Sequence, residues 1–195
     1  MDFFEAKSFT SLLSLLFSVV AGVDFENVVF PDSVGFRCIK CGFCCRCDPP
    51  DVNWKERQKI ESAGFKDFLE TSAESGETCI RRKSDGSCFF FAEGNACGIQ
   101  DIKPSTCRLE PFIITDYNDK TGRIFLGVNP LAATTCKGIF TGEMKTPEEI
   151  GKAAQTTIKE ILEIISKKTG LPATDKKVTA LTRKIILHLN FNETE

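Results

Sequence analysis

Half of the cysteines in this chain fall within ten residues. Cys38, Cys41, Cys44, Cys45 and Cys47 lie in the stretch FRCIKCGFCCRC, residues 36–47, and the chain has ten cysteines altogether. Packing rarely calls for five thiols that close together. Gaps of two residues let successive thiolates turn back onto one ion or cluster, as zinc and iron–sulfur sites require. Gly42 frees the backbone to bend inside the run, and backbone N–H groups there can point at sulfur. The neighbours Cys44 and Cys45 have little freedom to bind one tetrahedral ion together. They serve different metals, or one ligates while the other packs. The remaining thiols, Cys79, Cys88, Cys97, Cys107 and Cys136, each fall near a turn or strand end, as expected of ligands that a fold returns to one place.

The chain has a single histidine, His188. Cys2His2 sites are therefore excluded by count, and a mostly thiolate donor set selects zinc, Cu(I) or iron–sulfur. His188 falls at the edge of an apolar helical stripe, a packing or surface position, and no catalytic residue is identified. A two-cluster ferredoxin needs C-x2-C-x2-C-x3-C-P. Here the fourth position is Asp48, and Cys47 comes one residue early. No radical-type C-x3-C-x2-C run, dinucleotide fingerprint or P-loop is present.

Composition fits this reading. The chain has 195 residues, 42% hydrophobic and 27% charged, with net charge -2. That suits one domain, or a domain with a helical extension, and gives no evidence of a broad nucleic-acid-binding surface. Ten cysteines suggest either a secreted disulfide framework or an intracellular metal protein. A secretory signal is disfavoured because the apolar run at 9–23 follows MDFFEAK, not a basic segment, and is broken by serines. The run is also short for a membrane span. It reads as a buried or amphipathic helix, and a cytoplasmic metal protein is the expectation.

The elements that must position the thiols follow from pattern. A helix is expected over 3–21, then a Pro-containing connection over 24–35, with the cysteine cluster as loop and turn ended by Asp48-Pro49-Pro50. Asn53 and Glu56 form a capping box for a helix that carries Trp54 and Ile60 into the core and stops near Gly64. FKDFLE, 65–70, reads as a short helical piece, and 71–78 as turn. A first hairpin spans 79–91 across Asp85-Gly86, setting Cys79 and Cys88 on facing strands. Arg81-Arg82-Lys83 reads as its solvated edge. Glu93-Gly94-Asn95 makes a further turn. A second hairpin spans 111–128 across Asn118–Gly122. Thr146-Pro147-Glu148-Glu149 starts a helix with Ile150, Ala154, Ile158, Ile161, Leu162 and Ile165 on one stripe. A last helix over 175–189 turns Val178, Leu181, Ile185 and Leu189 inward. These two helices cover the core or dock a protein partner.

At this point the residues resemble a family. Cys38-Ile-Lys-Cys41-Gly-Phe-Cys44-Cys45 is similar to the signature of the CxxCxxCC zinc- or iron-chelating domains, the YkgJ-like cysteine-cluster proteins. Cys88 to Ile99 resembles their C-x-F-L…C-x-I-Y stretch, Lys103 to Arg108 their R-P-x-x-C-R stretch, and Cys136-Lys-Gly a late C-x-G. Gln100 replaces the usual Tyr and Lys103 the usual Arg, and Cys47 and Cys79 lie outside the matched motifs.

The resemblance implies cysteine-bound zinc or an iron–sulfur cluster held by Cys38, Cys41, Cys44, Cys45, Cys88, Cys97, Cys107 and Cys136. Eight thiolates suffice for two four-coordinate sites, or for one cluster with thiols to spare. Arg108, beside one of them, can donate to sulfur or make a surface ion pair. The expected fold is a small cysteine-rich α+β domain with two short hairpins. Its parts are an N-terminal helix and connection (1–35), the metal-binding domain (36–140) and a C-terminal helical extension (141–195). The expected role is redox, metal handling or auxiliary. The alternative is an iron–sulfur- or zinc-dependent enzyme, of methylation type because some relatives are linked to flagellin-lysine methylation.

Overall fold

The computed structural model describes residues 24–25, 27–47, 50–71, 78–141 and 147–192. The expected helix over 3–21, the Asp48-Pro49 stop, most of the 71–78 turn and the Thr146 cap lie outside that set, as do the side chains of His188 and Leu189. In chain order the strands are β1 (Asp24–Phe25), β2 (Val28–Val29), β3 (Val34–Phe36), β4 (Leu69–Thr71), β5 (Thr78–Ile80), β6 (Phe91–Ala92), β7 (Ala96–Cys97), β8 (Phe112–Tyr117), β9 (Ile124–Val128) and β10 (Ile139–Thr141). The helices are α1 (Trp54–Ser62), α2 (Ser105–Leu109), α3 (Pro130–Thr135), α4 (Pro147–Thr169) and α5 (Lys176–Asn192). The chain is α+β, as its patterning predicts, and divides into two compact units. One is 38–110, and the other combines the chain up to Arg37 with 111 onward. The stretch 36–140 thus contributes to both.

In the second of these units, β8 and β9 form the expected hairpin, with Phe112 opposite Val128 and Tyr117 opposite Ile124. Asn118 closes the turn, its side chain accepting from the N–H groups of Lys120 and Thr121. The 24–35 stretch is not merely a connection, because β2 adds to β9 in parallel and β1 to β2, giving a four-stranded sheet ordered β1-β2-β9-β8. β3 pairs with β10. Edge-to-face contacts of Phe112 with Phe30 (6.2 Å) and Phe36 (6.0 Å) join these layers.

α4 packs against α5 and against β1 and β2, and α5 packs on β8. Ile150, Ala154, Ile158 and Ile165 are buried as the stripe predicts, while Ile161 and Leu162 are half-buried. On α5 the inward face is Val178, Thr182 and Ile186. Leu181, expected inward, is 40% exposed. Thr182 is tolerated inside because its hydroxyl donates to the Val178 carbonyl one turn back, at 3.0 Å. Arg183 pairs with Asp116 of β8 through both carboxylate oxygens, at 3.0 and 3.1 Å.

The 38–110 unit has a smaller core of Val52, Ile60, Phe68, Ile80, Phe90 and Ile99. The α1 capping box is complete: the Asn53 side chain accepts from the N–H groups of Lys55 and Glu56, and Glu56 accepts from the Asn53 N–H. Gly64, at φ +93, takes the left-handed position that ends the helix. Trp54, expected in the core, is 59% exposed. It occupies the first helical position, about 120° around the helix from the fully buried Ile60. FKDFLE is not helical. It runs into β4, which pairs with β5, and the rings of Phe65 and Phe68 meet Phe90 at 5.1 and 5.4 Å. Burial of each such ring contributes about 1.5–3 kcal/mol, which outweighs the weak local preference for a helix. Among the described residues no helix is long and apolar enough to cross a membrane.

Candidate metal centre

The site is built on the turn that follows Gly42. Phe43 to Cys47 close a 3-10 turn, with the Arg46 N–H donating to the Phe43 carbonyl at 2.8 Å. Gly42 has φ +74, and a Cβ there would sit 2.7 Å from the Phe91 ring. Both facts require glycine. The Arg46 guanidinium stacks on the other part of this arrangement, 4.3 Å from the Phe91 ring centroid, and donates to the Gly42 carbonyl.

A second segment carries Cys88 against this turn. The Cys88 N–H donates to the Cys45 carbonyl at 2.8 Å, and Cys88 pairs with Arg82 across a tight turn held by Lys83 and Ser87. The Asp85-Gly86 turn therefore forms where the pattern expects it, but the strand pairing differs. Cys79 faces Glu70 on β4 and Asp51, not Cys88. Its buried thiol donates to the Glu70 carbonyl at 3.7 Å, and burial, then the nearby carboxylates of Glu70 and Asp51, push its pKa up. Cys79 is a core thiol.

A third segment, the β6–β7 hairpin across Glu93–Asn95, sets Cys97 opposite Phe91. The fourth is α2, which carries Cys107. Its start is fixed from a distance, since Glu56 accepts from the Ser105 N–H at 2.6 Å while still serving the α1 cap. The Thr106 hydroxyl adds a bond to the Asp51 carbonyl. Arg108 donates to the carbonyls of Lys103 (2.9 Å) and Asp101 (2.7 Å) and so closes the loop ahead of the helix.

The thiols from these four segments feel one another. Cys45 donates to the Cys44 sulfur, which lowers the Cys44 pKa to about 6, assisted by the Lys103 charge. The same bond, then burial and the charges of Cys44, Cys88 and Cys97, push Cys45 strongly upward. The pair thus releases one proton easily and holds the second. Burial raises Cys88, with Cys97 adding to it and Lys83 opposing. Burial raises Cys107 well above the thiol range, with contributions from Cys88, Cys44 and Cys97 and opposition from Lys103.

Five of the eight sequence-predicted ligands, Cys44, Cys45, Cys88, Cys97 and Cys107, therefore form one electrostatic group. Cys38 is exposed and Cys41 half-buried, on the same loop ahead of the turn. Cys47 donates to the Phe43 carbonyl. Cys136 follows α3 in the other unit.

The thiols are near neighbours at electrostatic range. Among the described residues no three Cys, His, Asp or Glu side chains are already drawn to ion-binding separation. None of the ten cysteines, all of them described, is in a disulfide. A thiol-only donor set with Lys83 and Lys103 beside it fits zinc or iron, and does not fit magnesium or calcium, which take oxygen ligands.

Sequence pattern missed the role of the basic run 81–83. It is not simply a solvated edge. Arg81 lies over the Phe89 ring at 4.9 Å, Lys83 donates to the Phe91 carbonyl, and Arg82 donates to the carbonyls of Arg46, Cys47 and Gly86. The Arg82 bonds to Arg46 and Cys47 span more than thirty residues of sequence, so no local pattern announces them.

Comparison with known proteins agrees with this site. An uncharacterized protein of Methanocaldococcus jannaschii is 28% identical over 137 residues, covering 67% of this chain and 72% of its own. No solved structure matches the chain. Residues 37–125, which include all the thiols of the electrostatic group, match the model of the CxxCxxCC family, described as a "Putative zinc- or iron-chelating domain".

Proposed function

We propose that residues 38–110 are a thiolate metal-binding module that holds zinc or an iron–sulfur cluster and serves a redox, metal-handling or auxiliary role. Its ligands are drawn from Cys44, Cys45, Cys88, Cys97 and Cys107, with Cys38 and Cys41 as the further donors of the loop. Cys136 belongs to the proposal only through its C-x-G match. The observation that supports this reading is the mutual influence of thiols from four separate segments, with Lys83 and Lys103 beside them.

The residues divide the work. Cys44 loses its proton first, helped by the Cys45 hydrogen bond, and offers a thiolate at neutral pH. Cys45, Cys88 and Cys107 hold their protons until a cation replaces them. Phe91 packs against Gly42 and under the Arg46 guanidinium, on one side of the turn. When bound, zinc supplies a structural or Lewis-acid centre, and iron adds one-electron chemistry. A reducing, cytoplasmic setting goes with this reading, since it would keep the thiols available to ligate.

The test is the zinc, iron and acid-labile sulfide content of protein purified without oxygen, beside a Cys88→Ser/Cys107→Ser variant. The expected result is about one tetrahedral ion or more per wild-type chain, strongly reduced in the variant. Wild-type protein free of metal, with all thiols titratable and an unchanged melting curve on adding zinc or iron with sulfide, would sink the proposal.

A further inference from the structure

Beside the bond from the Cys88 N–H to the Cys45 carbonyl, the Arg82 side chain ties the exit of the cysteine turn to the hairpin carrying Cys88. One terminal nitrogen of its guanidinium donates to the carbonyls of Arg46 (3.3 Å) and Gly86 (2.6 Å), and the other to the carbonyl of Cys47. Arg46 ends the Cys44–Arg46 turn and Cys47 caps it. Carbonyls at such an end lack intrahelical donors and attract cations. The backbone of Arg82 meanwhile pairs with Cys88. One residue thus grips the exit of the Cys44–Cys45 turn with its side chain and the Cys88 segment with its main chain.

Arginine suits this task for a definite reason. A planar guanidinium has five N–H donors in a rigid fork and keeps its charge at any working pH. A lysine ammonium is a single point on a flexible stem and cannot hold three carbonyls in fixed relation. The neighbours differ. Arg81 is exposed and reaches the Phe89 ring, and Lys83 reaches Phe91, on the covering side of the turn.

We propose that Arg82 is the positioning residue of the thiol centre: by fixing the Cys44–Cys47 turn to the Cys88 segment, it sets how tightly the centre holds a metal. This rests on the reading that the thiols bind metal. Groups that orient metal ligands from behind typically change affinity by about 10–100-fold when removed.

The experiment titrates metal-free protein with Co2+ under reducing, oxygen-free conditions, reading the sulfur-to-cobalt absorption, and then competes with Zn2+ against a chelator of known affinity. Wild type, Arg82→Lys, Arg82→Gln and Arg81→Gln are compared, with circular dichroism of each at saturating metal. The expected result is zinc affinity weakened about tenfold or more in both Arg82 variants. Arg81→Gln should stay within about twofold of wild type, and the saturated proteins should share one circular dichroism spectrum. Arg82→Lys within twofold of wild type would overturn the proposal. Loss of the folded unit in both Arg82 variants even at saturating metal would also overturn it, by making Arg82 a general folding residue. Wild-type protein that takes up neither Co2+ nor Zn2+ refutes instead the reading beneath it.

Discussion

In the unit that ends the chain, helices of 23 and 17 residues cover a four-stranded sheet. Among the described residues of the 38–110 unit the longest helix has nine residues and no strand exceeds three. The first buries an apolar face along each long helix. The second centres on a cluster of six buried residues and adds hydrogen bonds between loops, with Arg82 and Glu56 each reaching carbonyls or N–H groups of another segment. A unit of about seventy residues with so small a core is marginal on burial alone. The difference teaches where metal would matter: ligation adds stability to the unit that has least of its own.

The largest effect should come from removing metal. Chelation of the loaded protein should raise amide exchange throughout 38–110 while leaving β8, β9, α4 and α5 protected, as read by hydrogen-exchange mass spectrometry. Uniform loss of protection across both units would erase the distinction.

Next in size is a contrast between two cysteines of the same unit. Cys107→Ala should abolish tight metal binding and reproduce most of the exchange seen on chelation. Cys79→Ala, which removes a core thiol bonded to the Glu70 carbonyl, should keep its metal and lose about 1–2 kcal/mol in urea unfolding. Equal metal loss in both variants would make Cys79 a ligand.

The pH dependence should be smaller but signed. Cys45, Cys88 and Cys107 are raised, so at neutral pH each must release a proton to ligate. Zinc affinity should therefore rise with pH, and fall more steeply below about 6, where Cys44 also becomes protonated. In the metal-free protein the sign reverses. A raised thiol favours the fold while neutral, so its contribution is complete below the unfolded value of 9.0 and lost as pH rises past it. Metal-free 38–110 should loosen at alkaline pH, and isothermal titration and exchange rates between about pH 5 and 10 check both slopes.

Part of this was legible in the chain itself. The two-residue cysteine gaps, the Asn53–Glu56 box and the Asn118–Gly122 turn are local signals, in which residues a few positions apart satisfy each other, and all three form. What pattern could not supply is non-local. FKDFLE has helical composition, yet Phe65 and Phe68 are drawn into the Phe90 cluster. Trp54 reads as core by residue type, but its place at the start of α1 leaves it in solvent. Cys79 and Cys88 look paired across Asp85-Gly86, but the strand that takes Cys79 comes from residues 69–71. Of the candidate ligands, those in the tight cluster could be suspected from spacing. Cys88, Cys97 and Cys107 come from the resemblance, not from spacing, and the Arg82 and Glu56 bonds beside Cys88 and Cys107 cross long stretches of sequence.

The smallest effect tests the cap that serves both α1 and, through Glu56, the Cys107 helix. Asn53→Ala should cost about 1 kcal/mol of stability and leave metal stoichiometry unchanged. Glu56→Gln, which weakens the bond to the Ser105 N–H, should lower metal affinity as well. A result in which the two variants behave alike would separate Glu56 from the centre.

The central claim is that thiols alone hold the metal in this domain. X-ray absorption at the metal edge of protein purified without oxygen tests it most directly. The account predicts a nearest shell of sulfur, at about 2.3 Å if the metal is zinc, with no nitrogen or oxygen shell at about 2.0–2.2 Å. A first shell dominated by nitrogen or oxygen would contradict it.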